Sequence, residues 1–269
     1  MSSLPTGFTP RLLIFDLDGT LVNSERGIVA SFNHALVVAA GARALPRARI
    51  APLIGLPLAR MFAEVLPSSL HDRISLCVEA YRAHYETTAI PASRLFPGTR
   101  ATLRALRRTD RVLVVATSKL THVAEATLNA TQLRPLFAHV LGVDAVAEHK
   151  PHPALVLRAL ELTGTAPEEA VVVGDTTYDI QMAKSAGVCA IAVTHGVHAG
   201  IDLRAAGADV LIDSLPQLLP LVGLLPRARA VRQEVAHAPL RAIGEAHPSA
   251  AAPPLFEPRG LDAASQTPG

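Results

Sequence analysis

The sequence predicts an α/β protein: a parallel sheet with helices on both faces, carrying a helical insertion after its first strand. Three observations predict it. From Thr99 onward, short apolar runs alternate with helix-length segments, the pattern of a sheet whose strands are buried on both faces. The run Leu12-Leu13-Ile14-Phe15 ends in Asp16-Leu17-Asp18-Gly19-Thr20, so a buried strand delivers two carboxylates at its exit. Nothing between Asn23 and Leu95 has the character of a strand, which makes that stretch an all-helical insertion.

The elements follow in chain order. Helical periodicity runs from about Ser24 to Ala40, and a Pro- and Arg-containing turn occupies Ala44 to Pro52. In Leu53-Ile54-Gly55-Leu56-Pro57 a loop opens a helix, with Pro57 early in it. A further helix spans about Ser68 to Thr88, and Phe96-Pro97-Gly98-Thr99 closes the insertion. A helix to about Arg108 leads to the strand Val112 to Ala116, which exits at Thr117-Ser118-Lys119. A helix over Thr121 to Ala130 precedes a strand at His139 to Leu141, and Lys150-Pro151-His152-Pro153 opens a helix running to Thr163. The strand Ala170 to Val173 exits at Gly174-Asp175-Thr176-Thr177-Tyr178-Asp179; a helix to Ala186, a strand Cys189 to Val193 and a last unit ending near Leu221 follow.

Composition bounds the function. The 269 residues are long enough for one large domain or two modest ones. Net charge is +2 and the arginines are not interleaved with aromatics, so nucleic-acid polymers find neither a basic stripe nor a stacking platform. No apolar run reaches membrane-spanning length, and Cys77 and Cys189 have no metal or disulfide spacing. The expectation is a cytoplasmic protein with no membrane partner. Beyond Pro226 the composition turns to Ala, Pro and Arg with few large apolar residues, which predicts a disordered tail over 227–269.

Ligands of open parallel sheets bind outside the carboxyl ends of the strands. Those ends carry Asp16 with Asp18, Thr117, Lys150, and Asp175 with Asp179, the groups that phosphoryl transfer needs. Two carboxylates that close require a compensating cation, and Mg²⁺ suits an all-oxygen site. A carboxylate can attack phosphorus, and a second can protonate the departing oxygen and later deprotonate water. Asp16 and Asp18 suit those parts, Asp175 supplies a further metal carboxylate, and Thr117 and Lys150 face the phosphate oxygens. Singly, each has a plain reading: Asp175 as a helix cap, Thr117 as a turn residue, Lys150 as a solvated loop lysine. Their ordered series favours chemistry.

These motifs resemble those of the haloacid dehalogenase-like hydrolase superfamily, in the phosphoglycolate phosphatase-like subgroup with an α-helical cap. The resemblance covers about Arg11 to Leu221. It implies a Rossmann-like core from residues 1–22 and 97–226, and a helical cap over 23–96. It implies Asp16 as nucleophile, Asp18 as general acid/base, and Thr117, Ser118 and Lys150 as phosphate-binding residues. Mg²⁺ would be held by Asp16, Asp18 through its backbone carbonyl, Asp175 and Asp179, and Gly55 would lie in the cap specificity loop. The expected substrate is a small phosphorylated metabolite, with phosphoglycolate first. A carboxylate-bearing substrate would want a cap cation such as Arg49 or Arg60, although the plain reading of both arginines is as solvated surface residues. Pyrophosphate, sugar or nucleotide phosphates and phosphomutase chemistry stand as alternatives, as does a non-catalytic phosphate-binding regulator. Thr20 after Asp-x-Asp-Gly is similar to the phosphatase pattern, whereas mutases commonly carry Val there. Asn23 and Ser118 depart from the residues usual in the family.

Overall fold

The computed structural model describes residues 8–224, so the disordered tail expected over 227–269 lies outside the described residues. After β1 (Leu12–Phe15) come α1 (Glu25–Val38), α2 (Arg47–Ile50), α3 (Leu58–Val65) and α4 (Ile74–His84). The chain then alternates through α5 (Thr99–Arg107), β2 (Val112–Ala116), α6 (Thr121–Ala130), β3 (His139–Leu141), α7 (Ala154–Thr163) and β4 (Ala170–Gly174). It ends with α8 (Thr177–Ser185), β5 (Cys189–Val193), α9 (Gly200–Ala205), β6 (Val210–Ile212) and α10 (Leu218–Leu221).

All strand pairs are parallel, in the spatial order β3-β2-β1-β4-β5-β6. The chain builds outward from β1 to β3 and then crosses to β4 on β1's other side. The switch in strand order therefore falls between β1 and β4, where a ligand crevice is expected. Period-two alternation feeds two cores. Leu13, Phe15, Val115 and Val173 pack on one face of the sheet, while Leu12, Ile14, Val114 and Val172 pack on the other.

The helical insertion builds a third core, to which Val123 of α6 also contributes, and in it Phe32 of α1 stacks on Phe62 of α3 at a centroid distance of 4.2 Å. Burying side chains of that size stabilises the insertion by about 2–3 kcal/mol each. The single helix expected over Ser68 to Thr88 is broken into a 3₁₀ segment Ser68–Arg73, then α4, then a wide π turn at Tyr85–Ala89. In that turn the hydroxyls of Thr87 and Thr88 donate back to the carbonyls of Ala83 and His84, at 2.9 and 2.5 Å. Such side-chain donors compete with the backbone ladder and loosen the helix end. No described helix is long and apolar enough to cross a membrane.

Candidate active site

Asp16 is the first residue beyond β1, and its backbone N–H still donates to Val173 of β4 at 2.9 Å. Asp18 follows on a turn closed by Gly19, whose N–H donates to Val22 O at 2.9 Å. Gly19 has φ +81°, and a Cβ there would come within 2.2 Å of the Asp175 carboxylate, so only glycine lets the two strand exits meet. Across that contact the Thr20 hydroxyl donates to Asp175 Oδ1 at 2.7 Å, and Val197 N–H donates to Oδ2 at 2.8 Å. A valine at position 20 would have no proton to give, which is a physical reason for threonine there.

Asp179 lies in the first turn of α8. Thr176, not Asp175, caps that helix: its hydroxyl oxygen accepts from Asp179 N–H at 3.3 Å while its own N–H donates to Asp179 Oδ2 at 3.0 Å, a capping box to which the hydroxyl adds a donation to the same Oδ2 at 2.6 Å. The other oxygen of Asp179 receives Lys150 Nζ at 2.6 Å, and the same ammonium donates to Asp16 Oδ1 at 2.6 Å. Lys150 is thus no solvated loop residue; it is 3% exposed.

Asp16, Asp175 and Asp179 each offer a carboxylate oxygen within 4.8 Å of the others, and all three are buried. Burial raises the Asp16 pKa to about 7, helped by the charges of Asp179 and Asp18 and opposed by Lys150. Burial likewise pushes Asp175 well above the carboxylate range, and Asp16 and Asp179 add to it. Burial works against the charge of Lys150, but Asp16 and Asp179 outweigh it and hold its pKa above the usual lysine value. Three carboxylates around one ammonium leave the cluster short of positive charge, and hard oxygen ligands at this spacing fit a divalent cation.

Asp18 points to different neighbours. Lys119 Nζ meets its Oδ2 at 2.9 Å and also lies 4.0 Å from the ring centroid of Tyr85, from the insertion. Asp18 Oδ1 is buried and has no hydrogen-bond partner among the described residues. Both aspartates, Thr117, Ser118 and Lys119 line a cavity of about 240 Å³ roofed by the insertion. Ser118 does not present a free hydroxyl to it: its Oγ donates to Gly55 O at 2.5 Å, tying the insertion's loop to the sheet. Gly55 has φ +105°, and a Cβ there would press on Tyr178 and Thr176 at 3.0 and 3.1 Å. A second tie comes from His198, which accepts from Thr177 N–H at 3.0 Å through Nδ1 and so donates from Nε2 to Pro52 O at 3.2 Å.

The sequence-predicted residues therefore fall into two groups. Asp16, Asp175, Asp179 and Lys150 form the buried cluster, and Asp16, Asp18, Thr117, Ser118 and Gly55 line the cavity. Arg49 and Arg60 are surface residues, in keeping with their plain reading, and neither lines the cavity. Arg49 is exposed, and Arg60 is turned to Glu64 at 3.7 Å; Arg82 of α4 lines the cavity instead. Lys119 was overlooked as a site residue although it follows the Thr117 exit by two positions. No local signal marks Tyr85 or Val197, whose neighbours come from distant chain.

The haloacid dehalogenase-like hydrolase family model matches residues 13–193. The chain is 39% identical over 214 residues to "Probable phosphatase IndB" of Dickeya dadantii, covering 77% of this chain and 91% of that one. It is 30% identical over 229 residues to phosphoglycolate phosphatase of Pseudomonas putida, covering 80% of each. Among solved structures it matches a haloacid dehalogenase-like hydrolase, SP0104 of Streptococcus pneumoniae, with TM-score 0.71 and 29% identity over 80% of this chain and 99% of that one.

Proposed function

Since the chain belongs to the haloacid dehalogenase-like hydrolase family and is a phosphatase, we propose that it hydrolyses a small phosphorylated metabolite with Mg²⁺, through an aspartyl-phosphate intermediate. The observation that carries this reading is the buried Asp16–Asp175–Asp179 cluster beside a cavity that Asp16 shares with Asp18 and Thr117.

In the first step an Asp16 carboxylate oxygen attacks phosphorus, the bond to the leaving oxygen breaks, and Asp18 delivers its proton to that oxygen. In the second, Asp18 takes a proton from water as the water attacks the same phosphorus, which frees Asp16 and inorganic phosphate. Lys119, paired to Asp18 at 2.9 Å, holds that carboxylate in place for both proton transfers. Lys150 has two of its three donors on Asp16 and Asp179, and the third is available to a phosphoryl oxygen. Thr117, 1% exposed at the end of β2, offers its hydroxyl to another. A divalent cation held by Asp16, Asp175, Asp179 and the backbone of Asp18 would offset the repulsion between a carboxylate and a phosphate. Segment 23–96 is the cap, supported by the core it builds and by the Ser118–Gly55 and His198–Pro52 ties.

The test is hydrolysis of p-nitrophenyl phosphate with and without Mg²⁺, on the natural protein and on Asp16→Asn. The natural protein should turn over only with the metal, and Asp16→Asn should lose on the order of 10⁵-fold in kcat while keeping its circular dichroism spectrum. A folded Asp16→Asn protein with near-normal turnover would remove Asp16 from the reaction.

A further inference from the structure

Resting on the phosphatase reading, we infer that the alcohol released from the substrate is an apolar, ring-sized group, and not a short carboxylate-bearing one such as glycolate. The cavity walls carry the inference. Above Asp16 and Asp18, the insertion contributes Ile54, Leu56, Met61, Val78 and Tyr81, and Val123 of α6 closes the far side. At least four of these have no competing use for solvent: Ile54, Leu56, Met61 and Val123 are 3%, 7%, 4% and 7% exposed. An apolar cavity of 150 Å³ is enough to take up benzene. The 240 Å³ here has room for a ring together with the phosphoryl group that Asp16 attacks.

A carboxylate would need a cation in that wall, because a charge moved against apolar side chains without a partner is costly. Lys119 is already committed to Asp18 at 2.9 Å and covered by the Tyr85 ring. His149 is exposed, and Arg60 is outside the lining. Arg82 is half-buried and pairs with no described carboxylate. It is one guanidinium among mostly apolar neighbours, the exposed Glu86 carboxylate being the other charged group the insertion brings to the lining, and its aliphatic stem extends the same wall. The surfaces a leaving group meets are thus mostly hydrocarbon, and they reward buried carbon at about fourfold in affinity per methylene.

Binding separates this inference from the reaction on which it rests. Titration calorimetry of the Mg²⁺-loaded protein would compare benzylphosphonate, methylphosphonate and 3-phosphonopropionate, none of which can be hydrolysed at an ester oxygen. Benzylphosphonate should bind at least tenfold more tightly than methylphosphonate, and more tightly than 3-phosphonopropionate. Val78→Asn should lose most of that ring preference with methylphosphonate binding unchanged, which also certifies the fold. Arg82→Met should retain the preference. A ring preference below tenfold, tighter binding of 3-phosphonopropionate, or loss of the ring preference in Arg82→Met would overturn the inference. If the ring preference is found but neither benzyl phosphate nor any other monoester is turned over, the cavity assignment stands and the phosphatase reading falls.

Discussion

The floor and the roof of the cavity are built on opposite principles. The floor, at the exits of β1 and β4, packs three buried carboxylates and one ammonium, and nearly every oxygen is held by a named donor. The roof, from the insertion, is mostly hydrocarbon, with the half-buried Arg82 guanidinium and the exposed Glu86 carboxylate as its charged groups. Charge and hydrogen bonds fix positions to within tenths of an ångström, which is what in-line attack on phosphorus needs. Apolar packing tolerates changes of shape, which is what a specificity surface needs. The contrast makes a general claim: damage to the floor should cost stability or chemistry outright, whereas damage to the roof should change which ester is preferred.

The sharpest way to break the comparison is to remove the floor's cation. Lys150→Met keeps the length of the side chain and deletes the charge that pairs Asp16 with Asp179. Stripping one member from a buried ionic cluster leaves like charges facing each other, at a cost of about 3–5 kcal/mol. Urea unfolding of the metal-free protein should register that loss, and Mg²⁺ should restore more stability to Lys150→Met than to the natural protein because it supplies the missing positive charge. Equal midpoints for the two metal-free proteins would mean that the floor is not held by its charges.

Acidity gives a second, smaller test. In the metal-free protein Asp16 titrates at about 7, above the range it has in an unfolded chain. Between those values the folded state binds more protons than the unfolded one. The Asp16 contribution to stability must then fall as pH rises through this window and level off above about 7. Asp175, shifted in the same direction, adds to the slope. Melting temperature of the chelated protein should drop by on the order of 5 °C from about pH 5 to pH 8. Saturating Mg²⁺ requires ionised carboxylates, so it should reverse the slope over the same interval. Parallel slopes with and without metal would argue against a cation among these aspartates.

The same contrast explains how much was legible in the sequence. The floor is written locally: each strand exit is a short apolar run followed at once by its polar group, so Asp16, Asp18, Thr117 and Asp175 could be read without knowing any distance. What local reading missed in the floor were pairings across the sheet. Lys150 meets Asp16 over 134 residues of separation, and Lys119 meets Asp18 from the next strand exit. The parallel sheet follows from the βα alternation and is observed; the strand order that sets β4 beside β1 is not specified by that alternation. The roof was least legible, because apolar residues on a helix look alike whether they face their own core or a cavity. Val78, Tyr81 and Arg82 stand together on α4, and only the way the insertion folds over the sheet decides that Arg82, rather than Arg49 or Arg60, lines the cavity.

The smallest effect expected is also the one in which floor and roof touch. Tyr85 is 1% exposed, its ring carries Lys119, and its hydroxyl is buried without a partner among the described residues. Burial and the charge of Asp18 both raise its pKa well above the ordinary phenol value, so the hydroxyl stays protonated, with no acceptor among the described residues. An unmet buried donor costs about 1 kcal/mol, whereas the ring's contact with the ammonium survives its removal. Tyr85→Phe should therefore raise the melting temperature by about 2–4 °C. If Tyr85→Phe instead lowers it, the hydroxyl has a partner in solution and belongs with the floor; if it melts higher, the residue is part of the apolar roof and the boundary between the two regions runs between the Lys119 ammonium and the Tyr85 ring.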